Sequence, residues 1–270
     1  MKNEIISIVA DLPFDEAVQD KYFERIEAQL TEVSARPRLK AFAKSGGILA
    51  NRAAQEIDAS VVGPSLMVFE ARLSEDDKQD ALDSQSFAEA VVRKLPAETS
   101  QEQQYMAYNE ALSAIGWVTE SYTYKKYDSK KLTLTMNDAL LQVLETVISA
   151  GSGNVLSLVV AGFDKLKGDK EALKIVDAGS KESSVVSFKA VPCIVAPGGG
   201  MAMVMGGLDV FSKDYDGDFL FFTFKTEGVH LFQAAGIRKF NKRVFDRKRQ
   251  QVYNYIDQFG DDLFKKLTGQ

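Results

Sequence analysis

The C-terminal half of the chain contains four consecutive segments with the composition of β-strands, and these segments constrain the fold most. They cover residues 184–195, 201–211, 219–225 and 229–237, and all four are rich in β-branched, aromatic and methionine side chains. The links between them are short. Because parallel neighbours need a crossover of a dozen or more residues, links of this length predict antiparallel pairing.

The preceding residues have the periodicity of helices. Helices are predicted over 14–35, 47–57, 65–73, 76–95 and 100–115, the last one opened by a capping box of Ser100 and Gln103. A strand over 117–127 and a helical hairpin over 137–166, with Asn137 as N-cap, lead into the sheet. No linker or internal repeat interrupts the chain. We therefore expect one α/β domain over 1–270, a sandwich of a largely antiparallel sheet covered by helices, with a helical section 1–115 and a hairpin-plus-sheet section 116–270.

Charge and hydropathy exclude several classes of protein. The formal net charge is −5, whereas nucleic-acid binding needs a basic surface to neutralise phosphates. No apolar stretch approaches the roughly 18 to 20 residues of a membrane-spanning helix. Residues 1–10 lack the apolar core of a secretory signal. We expect a protein that is made in the cytoplasm and, if it is released, leaves by a non-classical route.

Three motifs resemble ligand sites and fail on their details. The glycines of 198–200 lead into a strand, while a phosphate loop needs Gly-Lys-Ser/Thr opening a helix. The glycines at 151 and 153 follow a helix and lack the third glycine of a dinucleotide fingerprint. Residues 214–218 open like a calcium loop, but Lys225 stands where the bidentate glutamate belongs. We predict turns at all three, and neither a metal nor a nucleotide cofactor.

The chain has one histidine and one cysteine, which limits the nucleophilic chemistry available to it. His230 has no ligand-spaced companion, and its apolar surroundings favour a packing role. Cys193 lies in an apolar strand with no base nearby in sequence, and it can form no intramolecular disulfide. Pro192 cannot donate to a ladder, which predicts a sheet edge or a bulge at this point. From these residues alone Cys193 is a small buried apolar side chain.

Basic residues crowd the segment after the last predicted strand. The seven are Arg238, Lys239, Lys242, Arg243, Arg247, Lys248 and Arg249. Together with the apolar residues among them they could attract anionic lipid headgroups at about 1 kcal/mol per charge. The alternative is a solvated helix face that balances the acidic N-terminal half. We expect the helix to cover 241–258, with a separate short tail over 261–267.

The order of elements resembles the Cyt-type cytolytic toxins. The apolar hairpin is followed by Val-Pro-Cys at 191–193, a glycine-rich turn, a methionine-rich strand and Leu-Phe-Phe-Thr at 220–223. With the helical N-terminal section included, the whole chain is similar to the Evf virulence factor family. That resemblance implies a strand cysteine that carries palmitate as a thioester in an apolar cavity, and only Cys193 can take that part.

Two functions follow from this comparison. The first is a lipidated, membrane-directed bacterial virulence factor, without enzymatic activity, whose partners are membrane lipids, including anionic ones. The second is an acyl-handling enzyme, an acyltransferase or thioesterase, with Cys193 as the acyl-accepting nucleophile. The second function requires a base within hydrogen-bond reach of the thiol, and His230 is the sole histidine. The distance between these two residues therefore separates the two hypotheses.

Overall fold

The computed structural model describes residues 15–31, 57–127, 133–148, 153–182, 185–211, 223–225 and 230–268. The motif at 214–218, the glycine at 151 and nearly all of the helix predicted over 47–57 lie outside these ranges. The structural statements that follow concern the described residues.

Nine strands form two sheets. In chain order they are β1 Asp58–Val62, β2 Ser65–Phe69, β3 Trp117–Lys126, β4 Thr133–Thr135, β5 Lys181–Glu182, β6 Val185–Val195, β7 Met201–Phe211, β8 Thr223–Lys225 and β9 His230–Phe240. The large sheet has the order β1-β2-β6-β7-β9-β3, with β5 paired to β6, and β4 pairs β8 separately. All pairs are antiparallel except β2–β6, so the predicted largely antiparallel sheet is confirmed.

Seven helices cover the two faces of the large sheet. They are α1 Glu16–Thr31, α2 Glu75–Lys94, α3 Gln101–Ala114, α4 Met136–Glu145, α5 Gly153–Lys167, α6 Lys170–Ser180 and α7 Lys242–Thr268. One apolar cluster joins the sheet to α1, α2, α3 and α7, and a second joins it to α4, α5 and α6. We call the first side the thiol face and the second the hairpin face. The α/β sandwich covered by helices is therefore confirmed.

Local capping explains where several helices begin. Ser100 and Gln103 form the predicted capping box at the start of α3. At α4 the prediction was wrong by two residues, because Thr135, not Asn137, accepts from the backbone of Asp138. A Thr hydroxyl three residues before a free N–H can accept a hydrogen bond from it, as an Asn side chain does.

The helix predicted over 65–73 is wrong. The segment forms β2 and pairs antiparallel with β1, which the periodicity also missed. All five residues of β2 are buried because helices cover both faces of the sheet. A short apolar run buried on both sides cannot be told from a buried helix by periodicity. The Gly63-Pro64 turn, with Gly63 at φ 55, is the local signal for the hairpin.

The C-terminal boundaries also differ from the prediction. Strand β9 continues to Phe240, and α7 runs without a break from Lys242 to Thr268. The basic segment is therefore divided, with Arg238 and Lys239 on a strand and the other five residues on a helix.

Pro192 lies in the interior strand β6, so the prediction of a sheet edge or bulge is wrong. The register between β6 and β7 is unchanged on either side of it, with Ala190 opposite Gly206 and Cys193 opposite Met203. On the other side Pro192 pairs with Val68 of β2 in parallel register. The sheet accommodates a missing N–H here without shifting the chain.

Candidate acylation site at Cys193 and its charged surroundings

Cys193 points into the apolar cluster of the thiol face. Its side chain is fully buried, and its thiol can donate only a weak hydrogen bond, at 4.0 Å, to the carbonyl of Val191. Burial alone raises the pKa of the Cys193 thiol far above its ordinary value. Because the thiolate is the reactive form, this thiol is a poor nucleophile where it lies.

Glu70 fixes the backbone around the cysteine. Its N–H donates to the carbonyl of Cys193 at 2.9 Å, and its carboxylate accepts from the N–H of Val195 at 2.8 Å. Glu70 also pairs with Arg72. These contacts hold the carboxyl ends of β2 and β6 together beside the thiol.

An open cleft of about 730 Å³ begins close to Cys193. It wraps around the ends of β2 and β6 and is bounded by the amino-terminal half of α5. Phe69 and Val195 line it, and both lie on the thiol face with Cys193. Val195 is two residues further along the strand, about 7 Å away. Cys193 does not line the cleft itself. Val195 does, and it is the next residue of β6 whose side chain lies on the same face as the thiol.

His230 lies at the other end of the sheet from Cys193. It pairs with Phe211, which pairs with Val185, and Cys193 follows Val185 by eight residues along β6. At about 3.3 Å per residue, the two backbones are separated by roughly 26 Å along the strands and by two strands across. This separation exceeds the reach of a histidine side chain, so these two residues do not form a nucleophile–base pair.

Five of the seven basic residues already have partners within the fold. Arg238 is fully buried, lies over the rings of Tyr108 and Tyr122, and donates to Asn109. The other four are in ion pairs: Lys239 with Glu120, Lys242 and Arg249 with Asp80, and Lys248 with Asp20. Their charges hold helices and strands together.

Arg243 and Arg247 are exposed, and none of the ion pairs found among the described residues includes them. They are four residues apart on α7, so they lie on one face of the helix. Within the described part of the chain, Arg243 and Arg247 are therefore the residues of the basic segment whose charges face solvent without an ion-pair partner.

A buried polar cluster lies further along the thiol face. Lys189 of β6 pairs with Glu89 of α2 at 2.8 Å, and both side chains are almost fully buried. The same Glu89 oxygen accepts from Ser65 and Gln85, and Gln85 in turn accepts from Tyr108 at 2.6 Å. A buried ion pair is tolerated only when further hydrogen bonds satisfy it, and this one has them.

Asp209 of β7 is the second acidic residue in this cluster. It accepts hydrogen bonds from Tyr124 at 3.1 Å and from Tyr105 at 3.4 Å. Burial raises the pKa of Asp209 to about 6, although a hydrogen bond from Ser187, these two tyrosine bonds and the charge of Lys189 all act to lower it. Gly207 makes room for this arrangement, since a Cβ there would lie 2.4 Å from the Tyr105 hydroxyl.

The sequence itself contains a signal for this cluster, although it is not a periodic pattern. Lys189 and Asp209 are single charges inside otherwise apolar strands. A charge in a strand buried on both sides must have a partner, so such residues mark a polar site.

The described ranges contain neither a membrane-spanning helix nor a cluster of metal ligands. No helix there is long and apolar enough to cross a membrane. No three His, Cys, Asp or Glu side chains in those ranges are grouped so that they could hold a metal ion. The predicted glycine turn is present, with Gly198, Gly199 and Gly200 at positive φ.

No protein-family model matches the chain, and no curated protein matches it. Solved structures that are similar to it include the following two. The structure of the Evf virulence factor has 10% identity and a TM-score of 0.34 over 89% of each chain. A delta-endotoxin has 14% identity and a TM-score of 0.35 over 73% of this chain and 95% of that one. Both are distant structural relationships only.

Proposed function

We propose that this chain is a lipidated, membrane-directed virulence protein without enzymatic activity, in which Cys193 carries palmitate as a thioester. One observation carries the proposal: the sole thiol lies on the same sheet face as Phe69 and Val195, which line the 730 Å³ cleft. Ligand pockets typically measure about 300 to 1,000 Å³, so the cleft has the volume for an acyl chain. Its lining is mostly apolar, with Leu158 and Ala161 of α5 among the contributors.

The energy of the acyl chain explains why a second membrane signal is needed. Burying about fifteen methylene and methyl groups gains on the order of 12 kcal/mol as an upper limit. A protein cleft and a bilayer both supply this gain, so transfer between them is nearly balanced. Two exposed arginines at about 1 kcal/mol each would favour an anionic bilayer by about 2 kcal/mol. This corresponds to a roughly thirtyfold larger equilibrium constant for membrane binding.

The enzyme alternative has less support. A cysteine nucleophile needs a lowered thiol pKa or a neighbouring base. The pKa of Cys193 is raised, and the backbone of His230 lies two strands away near the opposite end of the sheet. Among the described residues, no contact of Cys193 favours catalysis over acyl storage.

Intact mass of protein from its native host tests the lipid. We expect one palmitoyl adduct, lost on treatment with neutral hydroxylamine, which cleaves thioesters, and absent from Cys193→Ser. An unmodified parent, or an adduct that survives hydroxylamine, would contradict the proposal.

The location of the acyl chain needs a separate pair of variants on α5. Ala161→Phe narrows the cleft, whereas Val160→Phe changes the adjacent, exposed residue. Acylated parent should unfold at a higher temperature than its hydroxylamine-treated form. Ala161→Phe should lose most of that difference and Val160→Phe should retain it. If both variants retain the difference in unfolding temperature equally, the acyl chain lies outside this cleft.

Liposome flotation tests the contribution of the two arginines. Binding should rise with anionic lipid and fall with salt. Arg243→Glu with Arg247→Glu should remove that dependence. The matched control is Lys170→Glu with Lys174→Glu, an equal change of charge at two exposed positions four apart on α6. If the α7 variant still binds anionic vesicles as the parent does, the pair is only a solvated face.

A further inference from the structure

A second, smaller cavity lies on the thiol face, between α2, α3, β6 and the end of α6. Its volume is about 40 Å³. A water needs about 10 to 15 Å³ of such space, so there is room for about three waters. A carboxylate or phosphate group has this size.

Lys189 supplies positive charge and unused donors at the cavity. It is 6% exposed and lines the cavity together with its partner Glu89. An ammonium group has three N–H donors, and one of them goes to Glu89 at 2.8 Å. The ammonium also lies 5.6 Å and 5.3 Å from the ring centres of Tyr105 and Tyr108. These are cation–π contacts with no hydrogen-bond acceptor, so they do not satisfy the two remaining N–H donors. The lysine can therefore donate to a group inside the cavity.

Ser180 supplies a buried hydroxyl that has no hydrogen-bond partner among the described residues. It is 2% exposed and lines the cavity, and its Oγ makes no hydrogen bond to any described residue. Leaving a buried hydroxyl unsatisfied costs free energy, which a bound acceptor would recover. The neighbouring Gly179 fixes this position, since a Cβ there would lie 2.6 Å from the backbone of Gly63.

The remaining lining favours an anion over a neutral ligand. Arg93 also lines the cavity and donates to the carbonyl of Gly179 at 2.6 Å. Arg93 and Lys189 against Glu89 leave one net positive charge in the lining. Gln101, the first residue of the 14-residue helix α3, lies at the same cavity, so the positive end of the helix is close.

We propose that this cavity binds one oxyanion group, the carboxylate or phosphate of a small soluble molecule, through Lys189 Nζ and Ser180 Oγ. Glu89 keeps the ammonium in place and limits the site to a single negative group. The site shares no lining residue with the 730 Å³ cleft, so it is independent of acylation at Cys193.

Calorimetric titration of the full chain tests this proposal, with acetate and inorganic phosphate as probes and sodium chloride at matched ionic strength as the blank. At least one probe should bind with 1:1 stoichiometry. Ser180→Ala, which removes one hydroxyl, should weaken binding by about ten- to a hundredfold, because a hydrogen bond to a charged group is lost. Lys189→Met should abolish it.

Lys174→Met is the control, because this lysine is exposed on the same helix as Ser180 and pairs only at the surface with Glu171. It should bind as the parent does. Ser180→Ala keeps the test valid if Lys189→Met fails to fold. The absence of binding by both probes at millimolar concentration, or equal affinity of Ser180→Ala and the parent, would overturn the proposal.

Discussion

Replacing Asp209 with asparagine should make the protein more stable at neutral pH. Asp209 is fully buried on the thiol face, and its pKa is raised from 3.8 to about 6. An acid whose pKa is higher in the folded state holds its proton more tightly there. The free energy of unfolding therefore falls as pH rises from about 4 to 6, and the loss is complete above pH 6. Asparagine has nearly the same shape and carries no charge. The free energy of unfolding of the variant should therefore not fall over this pH range on account of residue 209.

The magnitude follows from the shift in pKa. A difference of about two units at 1.36 kcal/mol each makes the ionised carboxylate cost about 3 kcal/mol. At pH 8, Asp209→Asn should thus be more stable by up to about 3 kcal/mol. The gain is reduced if the amide satisfies Tyr105 and Tyr124 less well than the carboxylate does. At pH 4 the two proteins should differ little.

Urea unfolding of both proteins between pH 4 and pH 8 measures this effect. With a slope of about 3 kcal/mol per molar, the midpoint of the variant at pH 8 should rise by about 1 M. Other carboxyl groups contribute equally to both proteins, so the difference between them is the relevant quantity. A difference that is the same at pH 4 and pH 8 would refute a raised pKa, and a less stable variant at pH 8 would show that hydrogen bonding to the carboxylate outweighs its desolvation.

Three further changes have expected outcomes. His230→Ala should leave membrane binding of the acylated protein unchanged in flotation, and a collapse with the fold intact would favour the enzyme alternative. Gly207→Ala should displace Tyr105 and cost about 1 to 3 kcal/mol in urea unfolding, whereas Gly260→Ala, in α7 with no neighbour within 4 Å, should be neutral or slightly stabilising. Ser100→Ala should cost about 1 kcal/mol by the same assay, because the N-cap of α3 is lost, and an unchanged midpoint would show that the cap contributes nothing.

The parts of the fold that local chemistry specifies could be predicted from sequence. Strand β7 has the predicted bounds, and α3 begins after its predicted capping box. Segment 65–73 could not be assigned by the same means, because β2 is buried on both faces and its pattern has no period. Its parallel pairing with β6 joins residues more than a hundred positions apart, a contact for which no local pattern exists.

The candidate site was predictable to a smaller extent. The apolar strand around Cys193 indicated a buried thiol, and the thiol is buried. The basic segment looked uniform in sequence, yet the fold buries Arg238 and pairs Lys248 with Asp20 from the opposite end of the chain. Partners at such separations depend on tertiary packing. Palmitate on Cys193 and binding to anionic lipid stay predictions.

The helical cover of the thiol face sets an order of events during synthesis. Phe245, Val252, Tyr255 and Phe259 of α7 belong to the apolar cluster that contains Cys193. A ribosome makes β6 well before α7, so the thiol side of that strand has an incomplete cover while the chain grows. If Cys193 is acylated as proposed, an acyl donor would meet a more accessible thiol in the nascent chain than in the finished protein, where the thiol is buried. Attachment of the proposed fatty acid would therefore be easiest before folding ends, and a chain that folds unmodified would have to open its helical layer to be acylated later.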